Sequence, residues 1–498
     1  MNHVRVRYNR IQIAARGRQN AVLNDNPAFT LFKTQHNRYA SFAEDYERND
    51  FTGVISFGAS KCPAIINRYG DLISDVHLQV TLPPIGPPAD GAWNSYVVQV
   101  PDPANPGQTI PQTRYHPSAA HWVNAIGYAM IDEVILEIGS AEIDTLYGDY
   151  LFLWEELTQR PGARVRESVG RFDWTDTVES DMIEFAKQER TLMIQLPFFF
   201  SKYFLEKGLS LPLVALTFHE VRVKVSFAPL SDLVCVIKQT RENDDFIDMW
   251  TLEESGANSI PINRKTNAPL ANNDLVASLL ITYIYLDAEE RNTFANQEHE
   301  MLITCLQRQT NSVATTGLVG ESIKLYFNHP SNFLLWTVRP QNWRSNAGRR
   351  RYSVGFKDRF DYSKKVASVS YPYGDVADPI KSATLTLNSH PRWPENTVAS
   401  FFRVQQPLLK FENVPSSYLY VFVFAIAGGV YQPTSTLNFS RVENAQLQLT
   451  YNNEITPIPP SDLTFLVENY NLLEAIVMIW FMAVPLALST QKVGKWVY

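Results

Sequence analysis

The chain has 498 residues, 45% of them hydrophobic and 19% charged, with a formal net charge of −7. That balance suits a folded protein with two or three domain-sized cores, and so mild a charge predicts no global pull toward nucleic acid. The three cysteines, Cys62, Cys235 and Cys305, lack the close spacing of a zinc or redox motif, which speaks against a disulfide scaffold and for a reducing compartment.

In chain order, "MNHVRVRYNRIQIAARGRQN" comes first, with five arginines, no acidic residue and no continuous apolar core of a secretory signal. Residues 1–24 read as a basic arm able to meet a membrane surface, an acidic partner or nucleic acid; a frayed terminus is the plain alternative. In "IINRYGDLISDVHLQVTLP" the apolar Val76, Leu78, Val80 and Leu82 alternate with His77, Gln79 and Thr81, the period of a strand with one buried face. Pro83 and Pro84 stop it. Upstream, Gly70-Asp71 suits a tight turn, Gly by accepting positive φ and Asp by bonding nearby backbone. Arg68, Gly70 and Asp71 are therefore read as structural turn residues, with a polar catalytic site as the rival.

"AMIDEVILEIGSAEIDTLYGDY" predicts two strands around a Gly139-Ser140 turn. In "DYLFLWEELTQ" the spacing of Leu151, Trp154 and Leu157 predicts a short helix laid on a sheet, with Asp149 as its cap. "VRVKVSF" puts Val221, Val223, Val225 and Phe227 on one face of an antiparallel strand and Arg222, Lys224 and Ser226 on the other. Residues 231–270 are polar, broken by Pro261 and Pro269, and read as a linker. "LVASLLITYIYLD" then opens a second half that continues through "IKLYFNHPSNFLLWTV", "SATLTLN" and "YLYVFVFAIAG". The plan is all-β: a first unit over 25–230, a linker over 231–270, and a second unit over 271–498 with an apolar C-terminal strand and a short tail. Two sandwiches or jelly rolls in tandem fit it. The apolar run Ala475–Leu488 spans 14 residues and holds Pro485. A membrane-spanning helix needs about 20, so the run reads as a buried terminal strand, with a membrane-associated segment as the rival.

Candidate chemistry is sparse. There is no HExxH, and His219-Glu220 and His299-Glu300 are adjacent pairs whose side chains would leave opposite faces of a strand. "GLVGES" at 317–322 lacks the lysine of a phosphate loop and reads as a turn. Glu155-Glu156 and Glu289-Glu290 read as solvated surface; a glycosidase would instead need two carboxylates facing across a cleft. Residues 344–365 hold eight basic and two acidic residues with interleaved aromatics, and read as an exposed loop rather than a nucleic-acid contact. "NFS" makes Asn438 a candidate glycosylation acceptor. No residue earns a catalytic, cofactor-binding or metal-binding assignment.

Three blocks, "NPAFTLFKTQHNRYASFAEDYERNDFTG", "INRYGDLISDVHLQVTLP" and "WVNAIGYAMIDEVILEIGSAEIDTLYGDYLFLWEELT", closely resemble, in the same order, the major capsid proteins of large icosahedral double-stranded DNA viruses. So do "LPFFFSKYFLEKGLSLPLVALTFHEVRVKVSF", "YIYLDAEERNTFANQEHEMLI", "FNHPSNFLLWTV", "FFRVQQPLLKFENVP" and "QPTSTLNFSRVENAQLQLT". Ser140 stands where the family commonly has a second Gly, and Thr434-Ser435-Thr436 where it has Pro-Ser-Gly. The resemblance implies a double jelly roll, two barrels of about eight strands each in one polypeptide. It implies a non-enzymatic structural protein of the virion, assembled in the host cytoplasm, whose homotrimers form pseudo-hexagonal capsomers. The implied partners are neighbouring capsomers, minor capsid and penton proteins, and an internal viral membrane reached through the basic arm; no specific nucleic acid and no cofactor are implied. Two other classes share the composition. A carbohydrate-binding or carbohydrate-cleaving sandwich could stack sugars on exposed Trp343 or Trp393, and a membrane-associated β-rich protein could use residues 475–488.

Overall fold

The computed structural model describes residues 31, 36 and 40–475, apart from 87–94, 102–108, 116–118, 160–164, 173–177, 204–206, 217, 242–247, 253–260, 298, 314–316, 341–358, 361, 363, 366–375 and 453–460. The chain divides into units 1–42 and 43–498, and both barrels belong to the second. The basic arm, Trp343 and residues 476–488 of the apolar run lie outside the described residues.

Alternation sets the first half. Its main strands are β1 (Phe42–Asp50), β2 (Cys62–Ile65), β3 (Leu72–Leu82), β4 (Ile131–Ile138), β5 (Ala141–Tyr147), β6 (Arg190–Gln195), β7 (Val221–Phe227) and β8 (Val276–Leu286). They form two sheets, ordered β1-β8-β3-β6 and β2-β7-β4-β5. The first strand thus lies beside the last and the second beside the last but one, the wrapping order of a jelly roll. In β3, Val76, Leu78, Val80 and Leu82 are fully buried as the alternation predicts. Leu78 lies opposite Leu279 of β8 and Ile194 of β6. Val223 and Val225 of β7 face Leu136 and Val134 of β4, and Gly139 turns β4 into β5 at φ +65°.

Two boundaries differ from the sequence reading. Val276–Leu286, expected to open the second half, hydrogen-bonds to β3 and closes the first barrel. The segment read as a linker holds strand Val234–Arg241, which pairs with Ala119–Trp122 and with Asp248–Leu252. The change of composition near residue 231 marks a long insertion before the closing strand, which is paired by topology and not by sequence neighbourhood.

After helix α2 (Ala288–Asn296; the one before it in chain order, α1, is Gly148–Thr158) the second barrel repeats the order. Its strands are β9 (His299–Val313), β10 (Gly320–Lys324), β11 (Pro330–Pro340), β12 (Ile380–Leu387), β13 (His390–Pro391), β14 (Leu419–Val423), β15 (Ala445–Tyr451) and β16 (Ser461–Ala475). The sheets run β9-β16-β11-β14 and β10-β15-β12-β13. β9 and β16 pair without a break from His299↔Ala475 to Val313↔Ser461.

The first of these sheets is apolar on both sides, so its strands read as continuous hydrophobic runs. Leu334, Trp336 and Val338 of β11, with Tyr420, Phe465 and Val467, fill the second barrel's own core. Phe333 and Leu335, with Leu419, Val421 and Leu466, join the first barrel's core instead. The two barrels consequently share an apolar layer. Trp393, a candidate sugar platform by sequence, is buried in the second barrel, where its Nε1 donates to the Ala383 carbonyl at 2.9 Å.

Candidate functional site: the seam between the barrels

Helix α1 lies at this shared layer. It begins where strand ends leave no room: a Cβ on Gly148 would sit 2.3 Å from the Ile131 carbonyl oxygen and 2.4 Å from that of Tyr128. Every residue from Gly148 to Leu157 is buried, its carboxylates included. A buried carboxylate needs a partner to stay charged, and the partners come largely from the second barrel.

Asp149 is not the cap that its position suggests. Tyr147 is the N-cap residue, without a side-chain cap bond, and Asp149 sits in the first turn, where the helix dipole favours a negative charge. Its carboxylate meets three guanidiniums: Arg359 at 3.2 Å, Arg339 of β11 at 3.3 Å and Arg308 of β9 at 3.6 Å. Burial pushes this carboxyl up, but Arg359, Arg339 and Arg308 outweigh it and hold it below the usual range. Arg359 also donates to the Ala129 carbonyl and the Asp132 carboxylate, each at 3.1 Å. Next to it Phe360 stacks on Phe152 at 4.4 Å between ring centroids. Of the basic stretch read as an exposed loop, residues 344–358, 361 and 363 lie outside the described residues, while Arg359 and Phe360 are anchored on α1.

Glu155 and Glu156, read as solvated surface, are buried as well. Glu156 pairs with Arg171, and its Oε2 accepts from the Ser416 amide at 2.8 Å, the Ser416 hydroxyl at 3.1 Å and the Ser417 amide at 3.3 Å. Burial raises this carboxyl, but Arg171 and the serine amides bring it down overall. Glu155 keeps a longer contact to Arg171, 3.8 Å, and there burial wins and raises the carboxyl. At the C-terminal end of α1, Asn413 donates its amide to the Leu157 carbonyl at 3.1 Å and its side-chain nitrogen to that of Glu156 at 3.0 Å. Carbonyls left over at the helix end are thereby satisfied across the seam.

Beside α1, Lys202 from the first half forms a buried ion pair with Glu468 of β16 and lies 4.0 Å from the Trp154 ring centroid. Asp144 of β5 accepts from the Leu306 amide of β9 at 3.0 Å, and the Cys305 thiol donates to the Ile143 carbonyl at 3.3 Å. The arrangement fixes one barrel against the other. Among the described residues no group of three His, Cys, Asp or Glu side chains could hold a metal ion.

The sequence-predicted turn belongs to the same construction. Arg68 donates to the carbonyls of Leu213 (3.1 Å), Leu216 and His219 (3.0 Å), pinning the loop before β7. The Asp71 amide bonds the Ile284 carbonyl at 2.9 Å. Its carboxylate accepts from the Leu286 amide at 2.9 Å and pairs with Arg291 of α2 at 3.0 Å. Gly70 is needed for a different reason than predicted. It has no positive φ; a Cβ there would lie 2.8 Å from the Tyr283 Cβ. Together these residues hold the end of the first barrel where the chain leaves for the second.

The remaining candidates sit apart from the seam. Asn438 is half-buried and caps the turn Phe439–Arg441, its Oδ1 accepting from the Ser440 amide at 3.0 Å. His299 bonds the Phe294 carbonyl through its ring at 2.7 Å, closing α2 onto β9. Glu289 is exposed in the first turn of α2, as expected of solvated surface.

Two family models match the chain in succession: "Major capsid protein N-terminus" over residues 30–287 and "Large eukaryotic DNA virus major capsid protein" over residues 290–475. The major capsid protein of Pyramimonas orientalis virus is 28% identical over 465 residues, covering 88% of this chain and 91% of that protein. The major capsid protein of Paramecium bursaria Chlorella virus 1 is 28% identical over 451 residues, covering 88% and 86%. Among solved structures, a chain of the PBCV-1 virus capsid superposes at a TM-score of 0.63 with 24% identity, covering 90% of this chain and 98% of that one. The Faustovirus major capsid protein superposes at 0.62 with 12% identity, covering 90% and 93%. These likenesses agree with the two jelly rolls traced above. With its two barrels matched in order by the two halves of one family, the chain belongs to the major capsid proteins of large eukaryotic double-stranded DNA viruses, the structural proteins of their icosahedral shells.

Proposed function

We propose that this chain works mechanically, as a tile whose homotrimers form pseudo-hexagonal capsomers of the shell. The observation that carries the reading is the seam: buried carboxylates of α1 paired with groups of the second barrel lock two barrels into one rigid body. A tile made of closed barrels offers few free strand edges and can be packed at high concentration without uncontrolled pairing. Rigid tiles also close into a three-fold ring by heterologous contacts, one patch of each chain meeting a different patch of the next. An apolar surface suits such contacts. Helix α3 (Gln406–Lys410) exposes Leu408 and Leu409, and a neighbouring loop tied to it by the Gly428 amide on the Lys410 carbonyl (2.9 Å) exposes Ile426. A second copy of the chain is the partner assigned to it.

The test is the mass of the purified chain in detergent-free solution. A trimer is expected, and Leu409→Asp should shift it toward monomer while its far-UV circular dichroism spectrum stays that of the wild type. A wild-type chain that stays monomeric at high concentration would refute the reading. Around the tile we place neighbouring capsomers, minor capsid and penton proteins, with assembly in the host cytoplasm. The basic residues 1–24 are assigned to acidic lipid headgroups of an internal membrane. Deleting residues 1–20 should weaken binding to anionic vesicles; equal binding with and without them would remove that assignment.

A further inference from the structure

We propose that the seam is latched by a proton: Asp144 is carried neutral where β5 meets β9, and its ionisation loosens the contact between the barrels. Asp144 is 6% exposed. Its Oδ1 accepts two amides, Thr145 at 2.9 Å within its own barrel and Leu306 at 3.0 Å from the other. The groups that face it are few. Lys202 and Glu468 come from the two barrels, Tyr147 from its own strand, and Tyr150 from α1. Tyr203 points its hydroxyl at Glu468 Oε1 from 3.5 Å, and Arg308 lies over the Tyr147 ring at 4.6 Å.

Counting charges decides the protonation. Lys202 is bonded to Glu468 and Arg308 pairs with Asp149, so an ionised Asp144 would be one more carboxylate beside cations already in use. A buried charge in that position costs more than two amide hydrogen bonds return. Burial, the largest influence, pushes Asp144 up to about 7; the Leu306 amide, Lys202 and the Thr145 amide pull down, and Glu468 pushes up. An unfolded Asp titrates near 4. Between those values the folded chain holds a proton that the unfolded chain has released, so stability falls as pH rises through this window and levels off above it.

Asp144→Asn imitates the neutral form, because both accepted bonds fall on one oxygen that Asn retains. The unfolding constant of the full-length wild type, relative to that of Asp144→Asn, should rise about tenfold per pH unit between roughly pH 4 and 7. Infrared difference spectra should show a protonated carboxyl that disappears near pH 7 in the wild type and is missing in Asp144→Asn; this readout does not depend on reversible unfolding. Parallel pH profiles for wild type and Asp144→Asn would overturn the proposal. So would loss of the band in Glu468→Gln with its retention in Asp144→Asn, which would put the proton on the other carboxylate.

Discussion

Replacing Asp149 by Asn conserves shape and removes the one negative charge that three guanidiniums share. The Asp149 side chain is 3% exposed, those of Arg339 and Arg359 are 12% exposed and that of Arg308 is 23% exposed. Removing one member of a buried pair costs about 3–5 kcal/mol, because the other is left charged and unpaired. Water reaching the guanidiniums, Arg308 most of all, and the bonds that Arg359 keeps to Asp132 and the Ala129 carbonyl place the expected loss near the lower end, about 3 kcal/mol at pH 7. The pH dependence has a definite sign. The folded Asp149 carboxyl titrates below the usual value because Arg359, Arg339 and Arg308 outweigh its burial. Its contribution is therefore complete above the unfolded value and fades as pH falls through the folded one, so the gap between wild type and variant should close in acid. Urea unfolding of both proteins, from pH 7 downward, measures this, with Arg308→Met as a milder companion expected to cost about 1 kcal/mol. A loss below about 1 kcal/mol for Asp149→Asn at pH 7, or a gap that persists in acid, would refute the role given to the Asp149 cluster.

Gly70→Val should cost about 1–3 kcal/mol through overpacking against Tyr283 and the Ile284 carbonyl, and lower the yield of assembled protein. Wild-type yield and midpoint would show that the close approach is dispensable. His121, fully buried on the strand Ala119–Trp122, has its imidazole lowered to about 4 by burial, against the pull of the Trp122 carbonyl. The folded chain keeps it neutral while the unfolded chain takes up a proton, so acid destabilises as pH falls from about 6.5 to about 4, by up to about 3 kcal/mol. Asp144 contributes an opposite slope over the same range, so melting temperatures of His121→Phe should fall more steeply than those of the wild type as pH rises from about 4 to about 6.5; identical slopes would contradict it.

Much of the fold is legible where pattern is local. The two-residue period of β3 and the continuous apolar run of β11 identify their elements, because burial on one face or on two leaves its own pattern, and the Leu151, Trp154, Leu157 spacing marks α1 as a helix although it is buried all round. What depends on distant partners is not legible. β8 looks like a beginning because it is an apolar strand after a polar stretch, yet it pairs with β3 and β1 to close the first barrel. Glu155 and Glu156 look like surface because nothing adjacent neutralises them; Arg171 lies 15 residues from Glu156 and Ser416 lies 260 away. The seam is therefore almost invisible in the sequence, although it is assembled from ordinary residues. The start of α2 does carry a local signal: Asp287 accepts from the Glu290 amide and caps the helix, an Asp followed three residues later by Glu.

The order in which the barrels close bears on synthesis. The first barrel has all its strands once Leu286 has emerged from the ribosome, whereas the second needs β16, which ends at Ala475. At about 5–20 residues per second, the roughly 190 residues between them take about 10–40 s to make. Throughout that interval Asp149 lacks Arg308 and Arg339 for part of the time, Glu156 lacks Ser416 until late, and Trp154 lacks its stacking partner Phe333 at first. A nascent first barrel then carries α1 without the second-barrel partners of its charged and aromatic groups. A chain truncated before β11 would leave Asp149 without Arg339 and Trp154 without Phe333, with the first barrel's side of the seam uncovered.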